Sequence, residues 1–195
     1  MLALLFLPPT ENDARLHRHT IFFIYLNCNI YAMEDFIIVR AGVNGGKTTT
    51  CALLFEELNK QADFAKIYNY RFEEMESLPF NKEGDNLDFI AIIIIGGIIV
   101  VIISQGDVAQ HLEDILDMLT DKNLIKKLTN GLADSITFIV CCARSIHRKN
   151  STLDMLYQRI EEGSRKELWT VKSENKKDKY AAKLPIVQKI IEHIK

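Results

Sequence analysis

"DFIIVRAGVNGGKTTT", residues 35–50, decides the fold. Phe36 to Val39 are apolar without a break, the pattern of a strand buried on both faces, and a short strand is expected over Phe36–Arg40. A helix is expected from Lys47 to Lys60, with Cys51, Leu54, Phe55 and Leu58 on one face at the i, i+3, i+4, i+7 spacing. Between them lies a glycine-rich connection ending in Lys47 and Thr48. Backbone amides can converge on an anion only where the chain adopts unusual φ values and packs closely, which is why glycines recur in such loops. The start of the following helix adds its positive end.

The segment Ala41 to Thr48 fits [Ala/Gly]-x-x-x-x-Gly-Lys-[Ser/Thr], with Gly46, Lys47 and Thr48 at the last three positions. The sequence here resembles the P-loop NTPase superfamily: "IIVRAGVNGGKTTT" is similar to its strand, Walker A loop and helix start. The motif covers little more than this segment. Ala41 stands at the first glycine position, and Gly42 beside it is expected to relieve the backbone. The resemblance implies a nucleoside triphosphate–Mg²⁺ ligand and a βαβ core, but identifies no reaction. Ala41, Gly42, Val43, Asn44, Gly45, Gly46, Lys47, Thr48 and Thr49 would then cradle the phosphates. Lys47 would reach the β- and γ-phosphates, and the Thr48 hydroxyl would sit on Mg²⁺.

The 195-residue chain suits one domain, or one domain with an extension. It is 48% hydrophobic and 26% charged with a net charge of −2, so nothing global favours nucleic acid or an acidic membrane. Cys28, Cys51, Cys141 and Cys142 form no C-x-x-C pair and read as core residues of a protein in a reducing compartment; a cytoplasmic location is expected. The N-terminal "MLALLFLPP" lacks a basic region and is a poor signal peptide. The run Phe89–Ile103 falls short of the roughly 20 residues needed to span a bilayer. Gly96-Gly97 in its middle predicts a β-hairpin instead.

Residues 1–32 differ in character from the rest and are expected to be a non-native extension or an extra edge strand, Ile21–Leu26; the nucleotide-binding domain is expected over 33–195, from Met33. Strands are expected over Ala65–Phe72, in the hairpin near 88–103, over 135–143 and over 167–171. Helices are expected with Val108, Leu112, Ile115, Leu116 and Leu119 inward, around Leu124–Leu128, and from Ser151 to Gly163 with Leu153, Leu156, Tyr157 and Ile160 inward. A final helix near Pro185 has Val187, Ile190, Ile191 and Ile194 as its face. This alternation predicts the α/β class: a three-layer α/β/α P-loop NTPase-like sandwich with a mostly parallel sheet and one hairpin.

A P-loop enzyme needs a carboxylate near Mg²⁺, and Asp107, just beyond the Ile-rich strand, is the candidate, with Ser104 a weaker ligand. Asp107 also stands three residues before Gln110, the spacing of a capping box for the next helix. Asp88 is the other option: it precedes its strand, the wrong end in a parallel sheet, but a hairpin could return it. Arg144 follows an apolar strand and is placed to meet a phosphate or stack on a base; His147, Arg148 and Lys149 make the same loop basic. Arg71 is a further cation at a strand end. "NKKD", residues 175–178, matches the guanine-reading pattern of GTPases but sits in a charge run; Ala181-Ala182-Lys183 follows too closely to serve as a separate S-A-K loop, so ATP is preferred to GTP. The histidines show no metal-ligand spacing.

Three functions fit: ATP hydrolysis using Lys47, Asp107 and Arg144; γ-phosphoryl transfer to a small-molecule acceptor; or a nucleotide-binding module without turnover. The sequence names no acceptor and no oligomeric state.

Overall fold

The computed structural model describes residues 35–170, 172, 178 and 180–194. The extension 1–32, Met33, Cys28 and Asn175–Lys177 of the guanine-like motif lie outside the described residues. Elements follow in the order β1 (Asp35–Ala41), α1 (Lys47–Asn59), β2 (Phe64–Tyr68), β3 (Glu74–Met75), β4 (Ile90–Ile95), β5 (Ile98–Ile103), α2 (Ala109–Met118), α3 (Lys122–Leu128), β6 (Phe138–Arg144), α4 (Thr152–Arg159), β7 (Arg165–Trp169) and α5 (Leu184–Ile194). The class is α/β, as the alternating apolar runs require.

The seven strands form one sheet in the order β3-β2-β4-β5-β6-β1-β7. The pairs β1–β6, β1–β7 and β5–β6 are parallel, whereas β2–β3, β2–β4 and β4–β5 are antiparallel. The expectation of a mostly parallel sheet is therefore corrected to a mixed one. The reason is local: Gly96 (φ 55°) and Gly97 (φ 84°) make a two-residue turn, and such a turn can only return the chain antiparallel. β2 then pairs on the far side of β4, running against it.

Alternate residues of the central strands enter two cores. Ile37, Val39, Ile93, Ile102 and Val140 pack with α1 and α5 on one face. Phe36, Ile38, Ile92, Ile103 and Cys141 pack with α2, α3 and α4 on the other. With both faces covered, the strands read as unbroken apolar runs. Fully burying each Ile or Val contributes about 1.5–3 kcal/mol. Among the described residues, no helix is long and apolar enough to cross a membrane.

Three expectations about helices change. α1 is not one-sided: nine of its 13 residues are buried, because α5 covers it from outside the sheet. Val108 is exposed and serves as the N-cap of α2 rather than as part of its inner face. α4 ends at Arg159, and Gly163 lies in a separate 3₁₀ turn, Glu162–Ser164. Ser151 caps α4, its hydroxyl accepting from the Asp154 amide at 3.1 Å.

Candidate functional site

β1 delivers the chain into the loop at Ala41, and α1 takes it away at Lys47. The Gly45 amide donates to the Gly42 carbonyl at 3.1 Å, folding the loop on itself. A Cβ on Gly45 would lie 2.4 Å from the Ala41 Cβ, so the alanine at the first loop position makes Gly45 obligatory. Gly42 is not the residue that relieves the backbone, since a Cβ there would meet only the Ser145 hydroxyl, at 4.0 Å. Gly46, at φ 81°, is the N-cap of α1 and offers no side chain to the first helical amides. Those amides and the helix dipole therefore face the loop's interior without an internal anion.

Lys47 is buried, and its Nζ lies 3.5 Å from both the Gly42 carbonyl oxygen and Asp107 Oδ1. Arg144 Nε donates to the same Asp107 oxygen at 3.0 Å. Asp107 does not cap α2; it is shared by two cations. Arg144, with Lys47 behind it, holds the Asp107 carboxyl below the usual carboxylate range. Arg144 is set at this end of the sheet by its register opposite Ala41. The loop after it is tied to β1 by the Ser145 amide on the Ala41 carbonyl (2.9 Å) and by Arg40 Nη2 on the Ser145 carbonyl (2.8 Å). Arg40 in turn pairs with Glu167 and lies over the Trp169 ring. Asp107 is positioned from behind by Gly106, where a Cβ would meet the Cys142 carbonyl oxygen at 2.2 Å.

Thr48 has a different partner. Its hydroxyl donates to Asp88 Oδ1 at 3.2 Å. Asp88 stands just before β4, and because β4 runs against β5, with Ile90 opposite Ile103, its start lies beside the end of β5. Ser104 clasps that junction: its hydroxyl accepts from the Phe89 amide (2.8 Å), and its own amide donates to the Phe89 carbonyl (3.0 Å). Partial enclosure in the cleft pushes the Asp88 carboxyl up, Thr48 opposes this, and Asp107 nearby adds to it.

These groups line a cleft of about 520 Å³, within the usual range of small-ligand pockets, about 300–1,000 Å³. Its wall comprises Asn44–Thr49 of the loop; Asn81, Asp85, Asn86 and Asp88 before β4; Ser104, Gly106 and Asp107 after β5; and Lys172 and Lys183 between β7 and α5. A second pocket of about 340 Å³ touches the first at Asp88 and is lined by Tyr70, Phe89, Ile90, Gln105 and His111, with Gln105 Nε2 and His111 Nδ1 2.9 Å apart.

The structure thus brings together the loop, Asp107, Arg144 and Asp88, while placing Arg71 in an exposed turn over the Tyr70 ring. His147 and Asp154 pair at 3.2 Å away from the cleft lining. Sequence reasoning missed Asn81, Asn86 and Lys172, which belong to no motif, and weighed Lys183 only as the end of an S-A-K-like triplet that it set aside. Cys51, Cys141 and Cys142 are buried core thiols, the first and last with sulfurs 3.4 Å apart. No group of three or more His, Cys, Asp or Glu side chains suited to a metal ion occurs among the described residues. Comparison with protein-family models, with curated proteins and with solved structures finds no match.

Proposed function

We propose that this chain is a P-loop nucleotide-binding protein that binds a nucleoside triphosphate, preferentially ATP, with Mg²⁺ and hydrolyses it. The observation that carries the reading is Lys47. It is buried at an uncapped helix start, and its nearest counter-charge is a half-exposed carboxylate at 3.5 Å. That contact is long and its carboxylate is half in solvent, so it satisfies the buried ammonium only in part. Charge-assisted bonds to a phosphate inside a ring of amides are stronger, so a phosphate displaces Asp107 from Lys47 rather than the reverse.

In this reading the amides of Gly42–Thr49 and Lys47 hold the phosphate chain and neutralise charge that develops on it. Thr48 and Asp88, already hydrogen-bonded to each other, would hold Mg²⁺ with help from phosphate oxygens. Mg²⁺, when bound, supplies charge neutralisation at the β- and γ-phosphates. In this reading Asp107, kept ionised by Arg144, orients the attacking water as a hydrogen-bond acceptor, and Arg144 would stabilise charge on the phosphoryl group as it passes to that water. The Asp107 expectation is thereby narrowed to water positioning, with the metal role passing to Asp88.

A second reading is favoured by the 340 Å³ pocket that opens at Asp88. If a small acceptor hydroxyl occupies it, the same site transfers the γ-phosphoryl group instead. Phosphate release from Mg·ATP without an acceptor tests the choice. The hydrolase reading expects steady release that falls at least about tenfold in Asp107→Asn, in the range of a lost positioning group. No release by the wild type refutes hydrolysis, and release unchanged by Asp107→Asn removes that residue from the mechanism.

A further inference from the structure

Besides Lys47, the cleft wall carries Lys172 and Lys183, and of these two Lys183 is buried. Lys183 belongs to the 3₁₀ turn Ala181–Lys183 that leads into α5, and it is 1% exposed. Its Nζ is buried and has no hydrogen-bond partner among the described residues. Desolvation holds its ammonium below the usual lysine range. Burying a cation with neither counter-charge nor hydrogen bonds costs several kcal/mol, so native proteins seldom leave one in that state. Yet Lys183 lines the same cleft as the phosphate loop.

A second orphan group stands in this cleft. The Asn86 carboxamide is buried at both its nitrogen and its oxygen, and neither atom has a partner among the described residues. Both groups arise on the α1 side of the sheet. The connection carrying Asn86 is anchored there by Leu78 and Phe89, and the turn carrying Lys183 packs against α1. Two independent segments therefore bring residues with unsatisfied buried polar atoms to the wall of one cleft. A core formed for stability alone would have made these positions apolar or paired them.

We infer that Lys183, assisted by Asn86, forms a second oxyanion-binding point in the cleft, accepting a phosphate-type group that the Ala41–Thr48 loop does not hold. The chemistry required is an anion with several acceptor oxygens: the ammonium donates to one, the Asn86 NH₂ to another, and the Asn86 carbonyl accepts from a hydroxyl if the ligand carries one. Two sources offer that chemistry. One is a further phosphate of the same nucleotide, and the other is a phosphorylated second ligand. The inference rests on the nucleotide-binding reading, and the test keeps the two separable.

Calorimetric titrations compare wild type, Lys183→Met, Lys183→Arg and Asn86→Ala, with Lys47→Ala as the control for the loop. The titrants are Mg·ATP, pyrophosphate, and inorganic phosphate added to protein already saturated with Mg·ATP. Lys183→Met is expected to weaken at least one of these by about 10- to 100-fold, the range of one charge-assisted hydrogen bond, with Lys183→Arg retaining part of the affinity. Loss for Mg·ATP or pyrophosphate assigns the point to the nucleotide's own phosphates. Loss confined to phosphate added to the loaded protein assigns it to a second ligand. Asn86→Ala is expected to move the same titrant to a smaller degree. Thermal melting without ligand supplies a readout that a purely structural role would not give: Lys183→Met melts above the wild type, because a buried unpaired cation has been removed. Lys183→Met that binds all three titrants as the wild type does, while Lys47→Ala weakens Mg·ATP, overturns this inference and leaves the loop reading standing. Lys183→Met that melts below the wild type and binds normally also overturns it, as a structural lysine. If Lys47→Ala binds Mg·ATP as tightly as the wild type, the nucleotide reading itself fails.

Discussion

The two sides of the cleft are built on opposite principles. On the loop side every charge has a protein partner: Lys47 faces Asp107, and Asp107 faces Arg144. On the other side the polar groups are poorly served: Asp88 has hydroxyls, Thr48 first, but no cation in direct contact among the described residues, and the Lys183 ammonium and the Asn86 amide have no hydrogen-bond partner there. The two aspartates express the contrast in protonation, Asp107 pulled down by its cations and Asp88 pushed up by enclosure. The saturated side keeps its shape before a ligand arrives. On the proposed reading, a ligand would complete the unsaturated side and relieve its unfavourable polar burial.

The largest effect is expected from disturbing the saturated side's backbone. Gly45→Ala drives a Cβ into Ala41 at 2.4 Å, so the loop must open. Stability should fall by about 1–3 kcal/mol in urea titrations, and Mg·ATP affinity should fall with it. The double variant Ala41→Gly, Gly45→Ala should recover part of both, because the atom that clashes is gone. A Gly45→Ala protein with wild-type stability and affinity would mean that the loop tolerates a side chain there.

Breaking the unsaturated side should have the reverse effect on stability. Asp88→Asn keeps an acceptor for Thr48 and removes a carboxylate that enclosure disfavours. The ligand-free variant should be at least as stable as the wild type at neutral pH. Its ATP affinity should drop about tenfold with Mg²⁺, the loss of one charged ligand contact, and change little without it. Equal losses with and without Mg²⁺ would detach Asp88 from the metal.

The smallest effect is a pH dependence that differs in sign between the two aspartates. The folded Asp107 carboxyl lies below its unfolded value, so its contribution is complete above the unfolded pKa, about 3.9, and disappears as pH falls through the folded one. Asp107→Asn should therefore be the less stable protein at pH 7, with the gap closing in acid. Asp88 lies above its unfolded value, so the wild type gains relative to Asp88→Asn as pH falls toward the usual carboxylate range. Denaturation curves for both variants at a series of pH values would show the two trends diverging; parallel trends would contradict the assigned environments.

Much of the saturated side was legible in the sequence. The unbroken apolar run Phe36–Val39, the glycines, and Lys47-Thr48 at the start of a helix carry their geometry in local spacing. The hairpin was legible too, since Gly96-Gly97 inside an isoleucine run leaves few alternatives. The unsaturated side was legible only in part. Asp88 stood as the alternative carboxylate that a hairpin could return, and β4 running against β5 brings it beside the end of β5. Lys183 is one lysine in a charged stretch until the packing of its turn against α1 buries it. The burial of α1 beyond its sheet-facing side depends in the same way on a helix more than a hundred residues downstream, which no local period encodes. Sequence periodicity reports which face of an element is covered by its neighbours in the sheet, but not what a distant segment adds from the other side.

The central claim is that Ala41–Thr48 is a working phosphate loop, and the most direct test is calorimetric titration of Mg·ATP into the wild type and Lys47→Ala. Both proteins should share the same far-ultraviolet circular dichroism, showing that the sheet is intact. The account predicts a saturable isotherm for the wild type and an affinity lower by about 30-fold or more for Lys47→Ala, the scale of losing a buried charge partner. Superimposable isotherms from two folded proteins would contradict it.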